Sequence, residues 1–413
     1  MIDGDGKTSY REAFAAREFR FFFAAGLISL AGSTVSAVAL TVLVYQRTSS
    51  PFLSSLTFAL AFLPYLFSGL LASALVDRLP PRRLLISCDV GSACFVAPMA
   101  WPGTPIPVLL ILLLCASTLT GIGGGARAGL VRVVVSDQAY VAARSALRIS
   151  GQAAQLAGNA VGGALLIVVS PSAAILINAC SFLVSATLTR VGLERRPAAS
   201  SEAEHSLVRD SLAALRSVFG HSELRRLLLL TWLVPTFAVA PEAVAAPYVS
   251  SIGGSAAQVG WWLLALPVGM VAGDLLGVWF LTNAQQRRIV AVASGATFVP
   301  LLAFVFHPSF LVAFALLIAC GGCFVSSLGL DLRVRDAAPL ELFARAMAIN
   351  SAGLIALQGL GFALAGAIAE AVGPADAIAV SGVAGLAVVV VLTFPRFRRR
   401  EEVGQADGAM EHP

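Results

Sequence analysis

About twelve long apolar runs follow one another along this chain, and they constrain its fold more than any motif does. They occupy 20–45, 52–76, 84–101, 106–131, 144–169 and 172–191 in the first half, and 227–249, 258–281, 289–306, 309–330, 344–371 and 374–394 in the second. A helix that crosses about 30 Å of hydrocarbon needs about 20 mostly apolar residues, and a helix is the form that satisfies its backbone hydrogen bonds within one segment. Charged residues make up 12% of the 413 positions, against about a quarter in soluble domains. Mean hydropathy is +0.85. A transmembrane β-barrel would show alternating segments of about ten residues, and the sequence has none. The expected fold class is therefore an all-α membrane protein with about twelve transmembrane helices in two six-helix, pseudo-symmetric halves.

The first apolar run is longer than the core of a signal peptide and follows a polar, mixed-charge leader, so it is expected to be retained as a helix. That leader contains GDGKTS at 4–9. A phosphate loop would need a further glycine where Met1 stands and a preceding strand, so a nucleotide site is not expected.

Basic residues accumulate in cytoplasmic loops. With the amino terminus inside, twelve spans leave only Arg47 of the 28 lysines and arginines on the outer side. Both termini are thus expected in the cytoplasm, with the chain multi-pass in the cell membrane. All six cysteines fall inside the apolar runs, and no outer disulfide framework is expected. Cys320 and Cys323 form a C-x-x-C, which among small helix residues reads as tight packing.

The longest polar interval divides the chain into an N-terminal half (1–191), a cytoplasmic linker (192–226), a C-terminal half (227–395) and a tail (396–413). Traces of an internal repeat support the division. Leu63-Pro64 recurs as Leu266-Pro267, Arg82-Arg83 as Arg287-Arg288, and Ala143-Arg144 as Ala344-Arg345, each about 200 residues apart. Two related halves around a midplane site are an architecture of secondary transporters.

FRFFFAAGLISLAG with LVYQRTSSP, LPYLFSGLLASALVDRLPPRRLLISCD, INACSFLVSA and LAALRSVFGHSELRRLLLL together span much of the chain. On these stretches the sequence resembles the major facilitator superfamily, and within it the bacterial branch of enterobactin exporters and macrolide efflux pumps. The stretch 73–82 matches the superfamily's loop signature G-x-x-x-D-R-x-G-R-R at Asp77, Arg78 and Arg82, with Arg83 beside it, while Ser73, Pro80 and Pro81 replace Gly, Gly and Arg. The resemblance implies a cytoplasmic gate in which Asp77 docks on the start of helix 11, near 343–345, where free backbone N–H groups favour an anion.

A second signature, G-P-x-x-G-G of proton-coupled exporters, occurs as GNAVGG at 158–163, with Gly158, Gly162 and Gly163 kept and Asn159 replacing proline. A third, an arginine in helix 4, is missing, and Ser117 stands in its place.

Charged groups inside a membrane are expensive and mark pathways. All four histidines lie outside the runs, so a proton carrier has to be a carboxylate: Asp89, Glu242 or Asp274. Asp89, near the inner end of its helix, is expected to pair with Arg127 or Arg148. Glu242 lies in an outer half nearly devoid of arginine and is the leading candidate for carrying a proton or a cationic substrate group. Asp274 sits deeper, where the repeat offers no matching acid. Gln152, Gln155 and Asn159 recur at i, i+3 and i+7 on one helix face, which either lines a cavity or bonds to a neighbouring helix.

The expected function is proton-coupled export of an amphipathic small molecule, drug-like, macrolide-like or siderophore-like, by alternating access. The alternative is a facilitative or proton-coupled importer of a small metabolite. An enzyme is not expected, since no H-E-x-x-H or G-x-S-x-G occurs in the runs. The expected partners are the substrate, protons and the lipid bilayer, with no nucleic acid, no cofactor and no metal.

Overall fold

The computed structural model describes residues 10–197, 218–338 and 340–410; within them the side chains of 10, 11, 65–78, 132, 137, 138, 141, 148, 152, 340–345, 348 and 394–410 are not described. Among the described residues there are helices and no strands. A short α1 (Tyr10–Ala15) leads into α2 (Arg17–Thr48), α3 (Pro51–Arg78), α4 (Pro81–Met99), α5 (Ile106–Val134), α6 (Asp137–Val168) and α7 (Pro171–Gly192). The helices then continue with α8 (Ser222–Ala238), α9 (Ala240–Ala243), α10 (Ala245–Ser251), α11 (Ala256–Phe280), α12 (Asn283–Ala296) and α13 (Val299–Leu302). Last come α14 (Phe310–Gly322), α15 (Ser326–Ala337), α16 (Leu340–Val372) and α17 (Pro374–Met410).

Each of the twelve apolar runs becomes a helix or a chain of helical pieces. Nine of the helical stretches among the described residues are long and apolar enough to cross a bilayer. The other three runs lie in α3, α4 and α6. Of α3 only Pro51–Pro64 is described with side chains as an apolar helix, α4 carries Arg82, Arg83 and Asp89 in 19 residues, and α6 carries a polar face.

Local chemistry sets the joints. Ser49 takes a left-handed conformation (φ 53) and donates its N–H to the Tyr45 carbonyl at 2.8 Å, ending α2, and Pro51 opens α3 with its preset φ. The hydroxyl of Ser170 accepts from the Ala173 N–H ahead of Pro171 in the first turn of α7. Thr282 and Gln285 form a reciprocal capping box at α12. Gly253 (φ 72) and Gly373 (φ 94) make the two turns that a Cβ would strain.

Three runs that read as continuous are broken. Run 227–249 divides into α8, α9 and α10, with Pro235 inside α8, Pro241 opening α9 and Pro247 inside α10. Each proline removes an intrahelical donor and crowds the preceding turn. Run 289–306 ends α12 short of Pro300 and finishes in α13 and a 3-10 turn, Ala303–Phe306. Run 309–330 changes at Gly321-Gly322 into a 3-10 turn, Cys323–Val325, before α15.

The chain forms two compact units, one holding the described residues up to 197 together with Val249–Leu264, the other holding 218–248 and those from Ala265 onward. In the first, α2 packs on α6 and α7, α3 on α5, and α4 on α5 and α7, around a core that includes Val35, Leu40, Val96, Met99, Ile175 and Phe182. In the second, α8 packs on α16 and α17, and α12 on α15. There the backbones of α11 and α14 approach so closely that a Cβ on Gly269 would meet the Ile318 carbonyl and one on Gly321 would meet the Leu266 carbonyl. Trp279, Phe280, Phe306 and Leu311 point outward and are largely exposed, the placement expected of side chains that meet hydrocarbon.

Candidate functional site

In the first unit, Asp89 of α4 is only 4% exposed. Arg127 of α5 places one guanidinium nitrogen 3.0 and 2.9 Å from its two carboxylate oxygens, and the Ser185 hydroxyl of α7 donates to it at 2.7 Å. Arg127 also donates to Ser185 at 3.1 Å. Three helices thereby converge on one neutralised charge, and its hydrogen bonds offset the cost of taking it out of water. Of the two partners expected from sequence, the structure supplies Arg127; the side chain of Arg148 lies outside the described residues.

Glu242 has the opposite environment. It sits in α9, four residues long, between the helix breaks at Val239 and Val244. Its neighbours Pro241 and Ala243 are buried, whereas Glu242 itself is half-buried. No hydrogen bond or ion pair joins its carboxyl to any described residue. α9 packs on α16 and α17. Backbone hydrogen bonds of helical spacing still cross both breaks, from the Val239 N–H to the Pro235 carbonyl at 3.0 Å, from Ala243 to Val239 at 2.9 Å and from Val244 to Ala240 at 3.1 Å, so the chain bends there without losing its ladder.

Asp274 is half-buried on α11 between Gly273 and Gly277, and it interacts with its surroundings. The two glycines lie against Gly322 and Val325. Asp89, Glu242 and Asp274 therefore do not form one cluster; each belongs to a different helix contact.

On α6 the glycines pack against other helices. A Cβ on Gly158 would lie 2.7 Å from Thr34, one on Gly162 3.3 Å from the Val35 Cα, and one on Gly163 2.6 Å from the Gly260 Cα. The Asn159 amide donates to the Leu263 carbonyl at 3.4 Å. Gln155 is exposed, and the side chain of Gln152 lies outside the described residues. The gate residues divide likewise. Arg82 and Arg83 are described at the start of α4, while the side chains of Asp77, Arg78 and the segment 343–345 are not.

A cavity of about 110 Å³ inside the first unit is lined by the polar side chains of Ser33, Ser36, Thr57, Ser117, Thr120 and Asn178. Ser36 is 2% exposed, and its hydroxyl has no partner among the described residues. Ser33 and Ser36 share a face of α2 at i and i+3, a spacing visible in sequence but not distinguishable there from helix packing.

The chain matches a protein family described as transmembrane secretion effector over residues 8–413, nearly its whole length. The protein belongs to the transmembrane secretion effector family, within the major facilitator superfamily. It is 29% identical over 279 residues to the multidrug efflux pump Tap of Mycobacterium tuberculosis strain H37Rv, a match covering 64% of this chain and 66% of Tap. The chain thus spans just under two thirds of that relative. The Tap protein of Mycolicibacterium fortuitum is 24% identical over 390 residues, with 91% of this chain and 95% of Tap covered. An MFS-type transporter of Sinorhizobium fredii, y4rN, is 28% identical over 402 residues, with 91% and 94% covered. Among solved structures, a POT peptide transporter in complex with sulfate superposes with a TM-score of 0.70 at 13% identity, covering 95% of this chain and 99% of that one. A mutant of the nucleoside transporter NupG gives 0.67 at 14%, covering 91% and 98%. These two likenesses concern the fold. The family assignment and the nine helical stretches long enough to span a bilayer among the described residues together make this a multi-pass membrane protein.

Proposed function

We propose that the protein is a proton-driven exporter of amphipathic small molecules that works by alternating access, with Glu242 as the group that takes up and releases the proton. The observation that carries this reading is the half-buried carboxyl of Glu242 on a helix interrupted on both sides, without an ion-pair partner among the described residues. A carboxyl held in that way can change protonation without breaking a salt bridge, whereas Asp89, tied to Arg127 and Ser185, cannot. The multidrug efflux relatives support an exported, chemically varied cargo.

In this reading each half supplies six helices, both termini face the cytoplasm, and the stretch from Asp77 to Arg83 forms the inner gate. Asp77→Asn is then expected to slow export and to lower outer-side labelling of an introduced cysteine. Unchanged rate and labelling would reduce that stretch to a topology signal.

The test of the proton role uses everted membrane vesicles energised by respiration and a lipophilic fluorescent dye. Glu242→Gln is expected to bind the dye as the parent does and to fail to concentrate it. Gradient-driven accumulation at the parental level would remove Glu242 from the mechanism.

A further inference from the structure

At one end of the first unit, the start of α4 and the segment that follows α7 enclose a recess of about 440 Å³ lined by Arg82, Arg83, Arg190, Arg195 and Arg196. Among the described residues no acidic side chain lines it. Arg196 is already neutralised, because both of its terminal nitrogens bond Glu18 at the start of α2, at 2.8 and 2.6 Å. Arg82, Arg83, Arg190 and Arg195 have no ion-pair partner among the described residues. Arg82 is held in place by donating to the Arg190 carbonyl. Its Nε–H is buried and makes no hydrogen bond to a described residue.

The helix start points the same way. Pro80 precedes α4 without a side-chain cap, so the first-turn N–H groups of Arg82 and Arg83 have no intrahelical acceptor. Free N–H groups and the helix dipole favour an anion there. Four guanidinium groups without a counter-charge among the described residues line one recess, and the uncapped start of a 19-residue helix carries two of them.

We propose that this recess binds a phosphate group, either the phosphodiester of an anionic lipid headgroup or a soluble phosphate. Arginine is suited to this ligand because its planar fork matches phosphate oxygens in pairs. The recess lies where the distribution of basic residues places the cytoplasmic membrane surface, and an anionic headgroup would reach it from the inner leaflet. A bound phosphate would join the start of α4 to the end of α7. The proposal does not depend on export or on Glu242.

The experiment uses the purified full chain in detergent and records binding by native mass spectrometry. Phosphatidylglycerol and phosphatidylcholine are the lipid probes, and thermal stability in sodium phosphate against sodium chloride at equal ionic strength is the soluble arm. The variant is Arg190→Gln with Arg195→Gln, both outside the loop signature, with Arg190→Lys plus Arg195→Lys as the charge-keeping control. Wild type is expected to prefer phosphatidylglycerol, and the glutamine pair to weaken that binding roughly 25-fold, about fivefold for each arginine near the surface. The lysine pair should recover most of it. Displacement of the lipid by inorganic phosphate, with phosphate raising wild-type stability, would identify the soluble source instead. Equal binding of the two lipids by wild type with no effect of phosphate overturns the proposal, and this arm needs no variant. Undiminished phosphatidylglycerol binding by the glutamine pair overturns it as well.

Discussion

Asp89 and Glu242 are both acids embedded in apolar helices, and the molecule treats them in opposite ways. Around Asp89 three unbroken helices bring an arginine and a serine within hydrogen-bond distance. Around Glu242 the helix bends at Val239 and Val244, the carboxyl is half-buried, and no hydrogen bond or ion pair joins it to a described residue. The difference teaches that embedding does not by itself mark a working group. A charge that is fully paired is fixed in one state and serves to hold helices together. A carboxyl left without an ion-pair partner keeps two protonation states within reach.

Breaking the paired side should have the largest effect on stability. Arg127→Gln leaves a carboxylate stranded at a 4% exposed position, and loss of one partner of a buried pair costs about 3 to 5 kcal/mol. Thermal unfolding in detergent is expected to show a marked drop for this variant, with much of it regained in Asp89→Asn plus Arg127→Gln. Ser185→Ala should come next, at about 1.5 to 3 kcal/mol, the usual range for a hydrogen bond to a charged group. Gly163→Val has a comparable range from another cause. Its side chain would meet the Gly260 Cα and the Ala257 carbonyl, and overpacking of this kind costs about 1 to 3 kcal/mol. Glu242→Gln should sit at the bottom of the series, within about 0.5 kcal/mol of the parent, because no described partner is lost. Should Glu242→Gln destabilise as strongly as Arg127→Gln, the contrast between the two acids would be wrong.

Much of the fold was legible because bilayer thickness fixes helix length, so an apolar run of the right size leaves few alternatives. The breaks at 239–244 and near Pro300 were signalled by prolines, yet proline inside a membrane helix is compatible with continuity, as Pro64 and Pro267 show within α3 and α11. The pairing of Asp89 with a basic residue was readable from charge economy in lipid. Ser185 was not, since one hydroxyl in an apolar run has no periodicity. The arginine recess was hidden for a different reason. Arg82 and Arg190 are 108 residues apart, and only the packing of α4 on α7 brings them to one place.

The most direct test of the contrast is proton release on substrate binding, followed with a pH-sensitive dye in weakly buffered detergent solution. The purified parent and the Arg127→Gln plus Asp89→Asn variant are both expected to release protons when a transported dye binds. Glu242→Gln is expected to bind the dye and release none. Proton release from Glu242→Gln equal to that of the parent, or its loss only when Asp89 and Arg127 are replaced, would contradict the account.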